Sequence, residues 1–124
     1  MDETLYDEVG GEAFFVRLVD AFYESVETDE ILRPMYPSDL TDSKRHLVLF
    51  LAQYWGGPST YMQERGHPRL RMRHEPFAIT KRARDAWLLA MTKALASVRE
   101  HLTDRQFDEM TAYFEMAAHQ LRNV

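Results

Sequence analysis

Residues 42–58 read DSKRHLVLFLAQYWGGP, and their pattern decides the fold. Leu47, Phe50, Leu51, Tyr54 and Trp55 recur at i, i+3, i+4, i+7 and i+8, the stripe of an amphipathic helix. Gly56-Gly57-Pro58 then stops that helix abruptly. The spacing predicts a helix over 42–55.

Upstream, Thr4 and Asp7 have capping-box spacing before a short segment that ends at Gly10-Gly11. A longer helix follows over 12–27, with Phe14, Leu18, Ala21 and Phe22 on one side. Phe15, Val19 and Val26 widen its stripe. Asp29 caps a single turn that Pro34 disrupts, and Met35-Tyr36-Pro37 reads as a corner. Downstream, residues 58–67 read as irregular. Pro68 opens a short helix that runs through Arg73 to His74, and Pro76 ends it. Thr80 caps a long helix to about residue 100, carrying Trp87, Met91, Ala94, Leu95 and Val98 on one face. Thr103 and Gln106 form a second capping box for a last helix over 104–122, striped by Phe107, Met110, Phe114, Ala117, Ala118 and Leu121. No stretch alternates as a half-buried strand does, so the expectation is all-α. The long irregular stretch from 56 to 79 is unusual in a plain bundle, and such loops generally carry function.

Composition narrows the class. A chain of 124 residues with 45% hydrophobic content is expected to form one domain, 1–124. Its net charge of −5 argues against nucleic-acid binding, which needs a basic footprint. The longest apolar runs, Leu47 to Ala52 and Ala86 to Met91, fall far short of a membrane span. Acidic Asp2 and Glu3 follow Met1 where a leader would be basic and then apolar, so a cytoplasmic location is expected. There is no cysteine, which removes thiolate metal sites, iron–sulfur clusters and cysteine nucleophiles. The charge is uneven: residues 65–84 hold seven bases against one acid, Glu75. That patch suits an anionic partner.

Several chemistries fail on spacing. A dinuclear carboxylate bundle needs paired Glu-x-x-His motifs, and the chain offers only Glu115 and His119, four apart. His74-Glu75 begins like a zinc-protease signature, but Pro76 breaks the helix and no second histidine follows. Among five histidines, His74 has the distinctive neighbourhood: Leu70 one turn before, Phe77 after, and Arg69, Arg71 and Arg73 interleaved with Leu70 and Met72. Haem binding needs one imidazole, a flat apolar slot and cations near its mouth for two propionates. These residues meet those needs together, although composition alone leaves the matter open. Tyr23, Tyr36 and Trp87 read equally as core packing or as O–H and N–H donors around one cavity.

Taken as a set, Tyr23, Tyr36, Gln53-Tyr54-Trp55-Gly56-Gly57-Pro58, Arg65-Gly66-His67-Pro68-Arg69-Leu70-Arg71-Met72-Arg73-His74 and Asp85-Ala86-Trp87 resemble a group II truncated haemoglobin. The likeness is strongest to the O-type proteins of actinobacteria. It runs from Leu5-Tyr6 to Ala117-Ala118-His119, and the glycine pairs 10–11 and 56–57 fit that family's hinges. The resemblance implies a two-over-two helical sandwich, with helices 12–27 and 42–55 against 80–100 and 104–122. It also implies haem b with His74 as the proximal iron ligand. Tyr23, Tyr36 and Trp87 map onto the distal hydrogen-bonding residues, and Leu47 onto an apolar distal wall. Ser43 falls where many globins place a distal histidine. Phe50, Tyr54, Tyr61, Leu70, Met72, Phe77 and Met91 are expected pocket contacts, with Arg73 and Tyr61 near the propionates.

The implied ligands are O2, NO, CO, peroxide or small anions, for oxygen binding and transport or reactive oxygen and nitrogen chemistry. Turnover with peroxide or NO would draw on an external reductase, because no reductase pattern is legible here. The reading from another class is a haem-free helical interaction domain that docks an acidic partner through residues 65–84. Homo-oligomerisation is left open by the sequence.

Overall fold

The computed structural model describes residues 3–124. Met1 and Asp2, where a leader pattern was sought, lie outside the described residues. Among the described residues seven α-helices form: α1 (Leu5–Glu8), α2 (Glu12–Thr28), α3 (Thr41–Tyr54), α4 (Thr60–Arg65), α5 (Leu70–His74), α6 (Lys81–Ser97) and α7 (Asp104–Leu121). Short 3₁₀ turns occupy Arg33–Met35 and Arg99–His101. The described residues contain no strand, and no helix among them is long and apolar enough to cross a membrane.

Helix boundaries follow the cap chemistry. The hydroxyls of Thr4, Thr80 and Thr103 accept the backbone N–H of Asp7, Ala83 and Gln106. Reciprocal bonds complete the capping boxes at Thr4–Asp7 and Thr103–Gln106. Asp29 caps the turn after α2, its Oδ1 accepting from Ile31 and Leu32 at 2.8 and 2.9 Å. The predicted helix to residue 100 stops at Ser97 and tightens into the turn at 99–101.

The larger departure is α4, which falls inside the stretch expected to be irregular. Its sequence carries one buried anchor, Tyr61, while Met62 is exposed, so no stripe announces it. Tertiary bonds hold it instead. Gln53 Oε1 accepts the Met62 N–H at 2.9 Å, and Arg45 grips Glu64 through two bonds of 2.6 and 2.7 Å. Nor does Pro68 open α5: the helix begins at Leu70, after Arg69 in the left-handed region at φ 44°.

Helices α2 and α3 form one layer and α6 and α7 the other, with α2 packed on both α3 and α6. Phe14, Phe15, Leu18, Val19, Phe22, Met91, Leu95, Met110 and Phe114 are almost wholly buried between them. Each such side chain contributes about 1.5–3 kcal/mol of hydrophobic stabilisation. Trp55, at the end of α3, stacks on Phe15 at 6.1 Å and meets Phe114 edge-on at 5.8 Å, which ties the layers together.

The glycine pair closes this corner. The Tyr6 N–H donates to Trp55 O at 3.0 Å, bringing the Tyr6 ring flat over Gly57. A Cβ on Gly57 would lie 2.7 Å from the Tyr6 ring and 2.8 Å from Ala52 O. Gly57→Ala is therefore expected to cost about 1–3 kcal/mol through forced displacement of α1. Urea unfolding of the parent and variant measures it.

Candidate functional site

A cavity of about 350 Å³ opens between the layers, bounded by α3, α4, α5, α6 and the end of α7. Its apolar walls include Leu32, Leu70, Phe77, Ile79 and Leu121. Arg65, Arg73 and Arg84 line it, and no acidic side chain does among the described residues. An apolar slot with a cationic rim suits a flat apolar cofactor bearing carboxylates.

His74 ends α5 and faces this cavity. Its Nδ1 lies 2.7 Å from Leu70 O. A carbonyl only accepts, so Nδ1 carries the proton and Nε2 keeps its lone pair in the neutral ring. A backbone carbonyl on the remote nitrogen is the usual outer partner of a metal-ligating histidine. The i, i+4 spacing of Leu70 and His74 makes that bond possible within a single turn. Among the described residues no cluster of three His, Asp or Glu side chains forms a metal site. One imidazole suits a metal whose other ligands come from a macrocycle.

Tyr36, Ser43, His46 and Trp87 line the same cavity. Burial pushes the Tyr36 phenol up to about 12, opposed by a hydrogen bond from the Trp87 indole N–H. Tyr23 lies one layer behind, its ring meeting Tyr36 edge-on at 5.6 Å. Burial and the neighbouring Tyr36 raise its pKa, while a hydrogen bond with Ser43 works the other way. These phenols remain protonated donors at neutral pH. Burial and the Arg65 guanidinium depress the His46 pKa, and Arg65 Nη1 lies 3.1 Å from its Nδ1.

The cationic rim is built into the strap that carries His74. Arg73 Nε donates to Pro68 O at 2.6 Å, and its Nη2 donates to Arg65 O at 2.6 Å and His67 O at 3.3 Å. The side chain thereby fastens the loop before α5. Its guanidinium also stands 5.9 Å from the Tyr61 ring centre.

Of the residues singled out in the sequence, Tyr36, Ser43, Tyr61, Leu70, Arg73, His74, Phe77 and Trp87 line this one cavity. Others lie elsewhere. Met91 is wholly buried in the core, and Leu47 and Phe50 pack against that core. Tyr54 is 51% exposed and packs on Tyr113 at 4.2 Å, while Met72 is 56% exposed on a separate groove. Sequence reading missed Leu32, Met35, His46, Arg65, Ile79, Ala83, Arg84, Ala118 and Leu121 as cavity walls. His46 had a signal, since it stands one helical turn from Ser43.

Two helix layers around an apolar, cation-rimmed cavity define a truncated globin. The chain belongs to the bacterial-like globin family, whose pattern matches residues 4–123. Haem is the cofactor of that family, which sets aside the haem-free reading of residues 65–84. The chain is 46% identical over 111 residues to Group 2 truncated hemoglobin YjbI of Bacillus subtilis, covering 85% of this chain and 83% of that protein. Among solved structures, the hemoglobin of Chloroflexus aurantiacus is 49% identical, with a TM-score of 0.93 over 99% of this chain and 100% of that one. The thermostable hemoglobin of Thermobifida fusca is 46% identical, with a TM-score of 0.95 over 98% of each chain.

Proposed function

We propose that residues 1–124 act as one truncated-globin domain that holds haem b through His74 Nε2. In the same cavity, Tyr36 and Trp87 would act as donors to O2 or another small diatomic or anionic ligand, with Tyr23 behind them. The observation that carries this reading is the bond from His74 Nδ1 to Leu70 O, which assigns the lone pair of the neutral ring to Nε2 on a residue that lines an apolar cavity. Haem would supply an iron able to bind a small ligand.

The protein's own contribution is placement and exclusion of water. Leu70, Phe77, Ile79 and Leu121 give the ring apolar walls, and Arg65, Arg73 and Arg84 stand where carboxylates need counter-charge. A ligand that develops negative charge is stabilised by donors already aimed at it in a dry site. Each neutral bond of this kind is worth about 0.5–1.5 kcal/mol net. A Tyr/Trp donor set therefore favours retention and redox chemistry of O2, peroxide or NO over fast delivery. Sustained turnover would take electrons from an external reductase.

Titration of the purified apoprotein with haemin tests the cofactor step. The expected result is one equivalent bound, with a Soret band and a rise in melting temperature. A chain that stays colourless in excess haemin and melts unchanged would overturn the reading.

A further inference from the structure

The segment that carries His74 is poorly able to hold itself. Helix α5 has only five residues, well below the length at which a helix is stable alone. Pro76 follows two residues later and offers no N–H to its last carbonyls. Its end is secured from another part of the chain. Beyond α7, Asn123 turns its amide onto residues 74–79. Its Nδ2 donates to Phe77 O at 2.9 Å and to His74 O at 3.3 Å. Its Oδ1 accepts the Ile79 N–H at 2.8 Å, and its own N–H donates to Ile79 O at 3.0 Å. One residue thus satisfies four backbone groups of His74, Phe77 and Ile79, all three of which line the cavity.

We propose that Asn123 is a positioning residue for the His74 side of the haem pocket. Its amide latches the α5–α6 connection to the end of α7 and so fixes the height and tilt of the His74 imidazole. The inference rests on the assignment of His74 as iron ligand. The amide is specifically suited, because it offers two N–H donors to carbonyls and an oxygen to an amide hydrogen. Aspartate has the same shape and keeps the acceptor, but it would turn a second oxygen onto two carbonyl oxygens. A role in filling space predicts that Asn123→Asp is benign. A latch predicts that it is at least as damaging as Asn123→Ala.

The test uses the haem-loaded 124-residue chain with Asn123→Ala, Asn123→Asp and, as control, Arg122→Ala, whose guanidinium donates to Val124 O. Two quantities are read: the iron–histidine stretching band of the ferrous protein by resonance Raman, and the rate of haem transfer to an excess of apomyoglobin. Far-UV circular dichroism checks that helix content is kept. Both Asn123 variants are expected to shift or broaden the band and to lose haem about tenfold faster, as one to two lost hydrogen bonds imply. The control is expected to match the parent. His74→Gly, with and without imidazole, is run alongside. If imidazole restores the His74→Gly band while both Asn123 variants match the parent in band and haem loss, the latch is overturned and the ligand assignment stands. If His74→Gly keeps the parental band without imidazole, both fall.

Discussion

Trp87→Phe is expected to speed O2 release about tenfold, the equivalent of about 1.4 kcal/mol at the ligand. The substitution isolates one property. The Trp87 ring meets Phe22 edge-on at 5.7 Å and Phe114 at 6.0 Å, and phenylalanine can keep those apolar contacts. What it removes is the only donor of the indole, the N–H that reaches toward Tyr36 and the cavity. On the proposed reading two consequences follow, because the ligand would lose a donor and the Tyr36 oxygen a partner. Tyr36→Phe should therefore not add simply to Trp87→Phe, and a double-mutant cycle would return a coupling energy. Stopped-flow displacement of O2 by CO measures each rate. Unchanged release in both single variants would remove the Tyr/Trp set from ligand retention. The donor also has a pH signature. Because Tyr36 ionises only near about 12, its contribution should hold flat from neutral pH through the lower alkaline range. Release should quicken only as the phenol loses its proton.

Where helix stripes point into the core, the sequence reveals them directly. Phe14, Leu18 and Phe22 in α2, and Met110, Phe114 and Ala117 in α7, bury the residues their period marks. The cavity is harder to read because it uses the same helices at a slightly different angle. On α3 the stripe residues Leu47 and Phe50 pack against the core, while Ser43 and His46, four residues earlier, line the cavity. That offset is one turn along the axis and only about 40° around a helix of 3.6 residues per turn. On α6, Trp87 lines the cavity while Met91, one turn later in the same stripe, is sealed in the core. Periodicity records that a position is apolar and facing inward. It does not record whether the neighbour is another side chain or a cofactor.

The connections show the same limit from the other side. Helix α4 and the strap at 66–79 are held by contacts distant in sequence. Arg45 reaches Glu64, and Asn123 reaches residues 74–79. No local window contains both ends of these bonds. His74 stood out without them, because an imidazole one turn after Leu70 and beside Phe77 is chemically distinctive wherever its loop runs.

His74→Gly should have the largest effect of any single change. It removes the imidazole but leaves the cavity walls and the arginine rim in place, so haem should still enter by apolar contact. If Nε2 is the iron's protein ligand, the ordinary five-coordinate ferrous spectrum should vanish without it. Haem retention should fall by about a hundredfold or more, since loss of a ligand bond exceeds loss of any one hydrogen bond of about 1 kcal/mol. Free imidazole is small enough to occupy the vacated space, and it should restore the spectrum in proportion to its concentration. It should not restore the parental haem-loss rate, because the restored ligand is no longer tethered to α5 and its effective concentration is lost. That split between spectrum and retention separates a ligating histidine from one that merely packs. A packing role predicts partial loss of haem with an unaltered spectrum and no response to imidazole. Leu70→Pro would be a poor probe, since it distorts α5 itself. His74→Gly leaves the Leu70 carbonyl exposed to solvent or to the added imidazole N–H, so the outer hydrogen bond can be rebuilt along with the ligand.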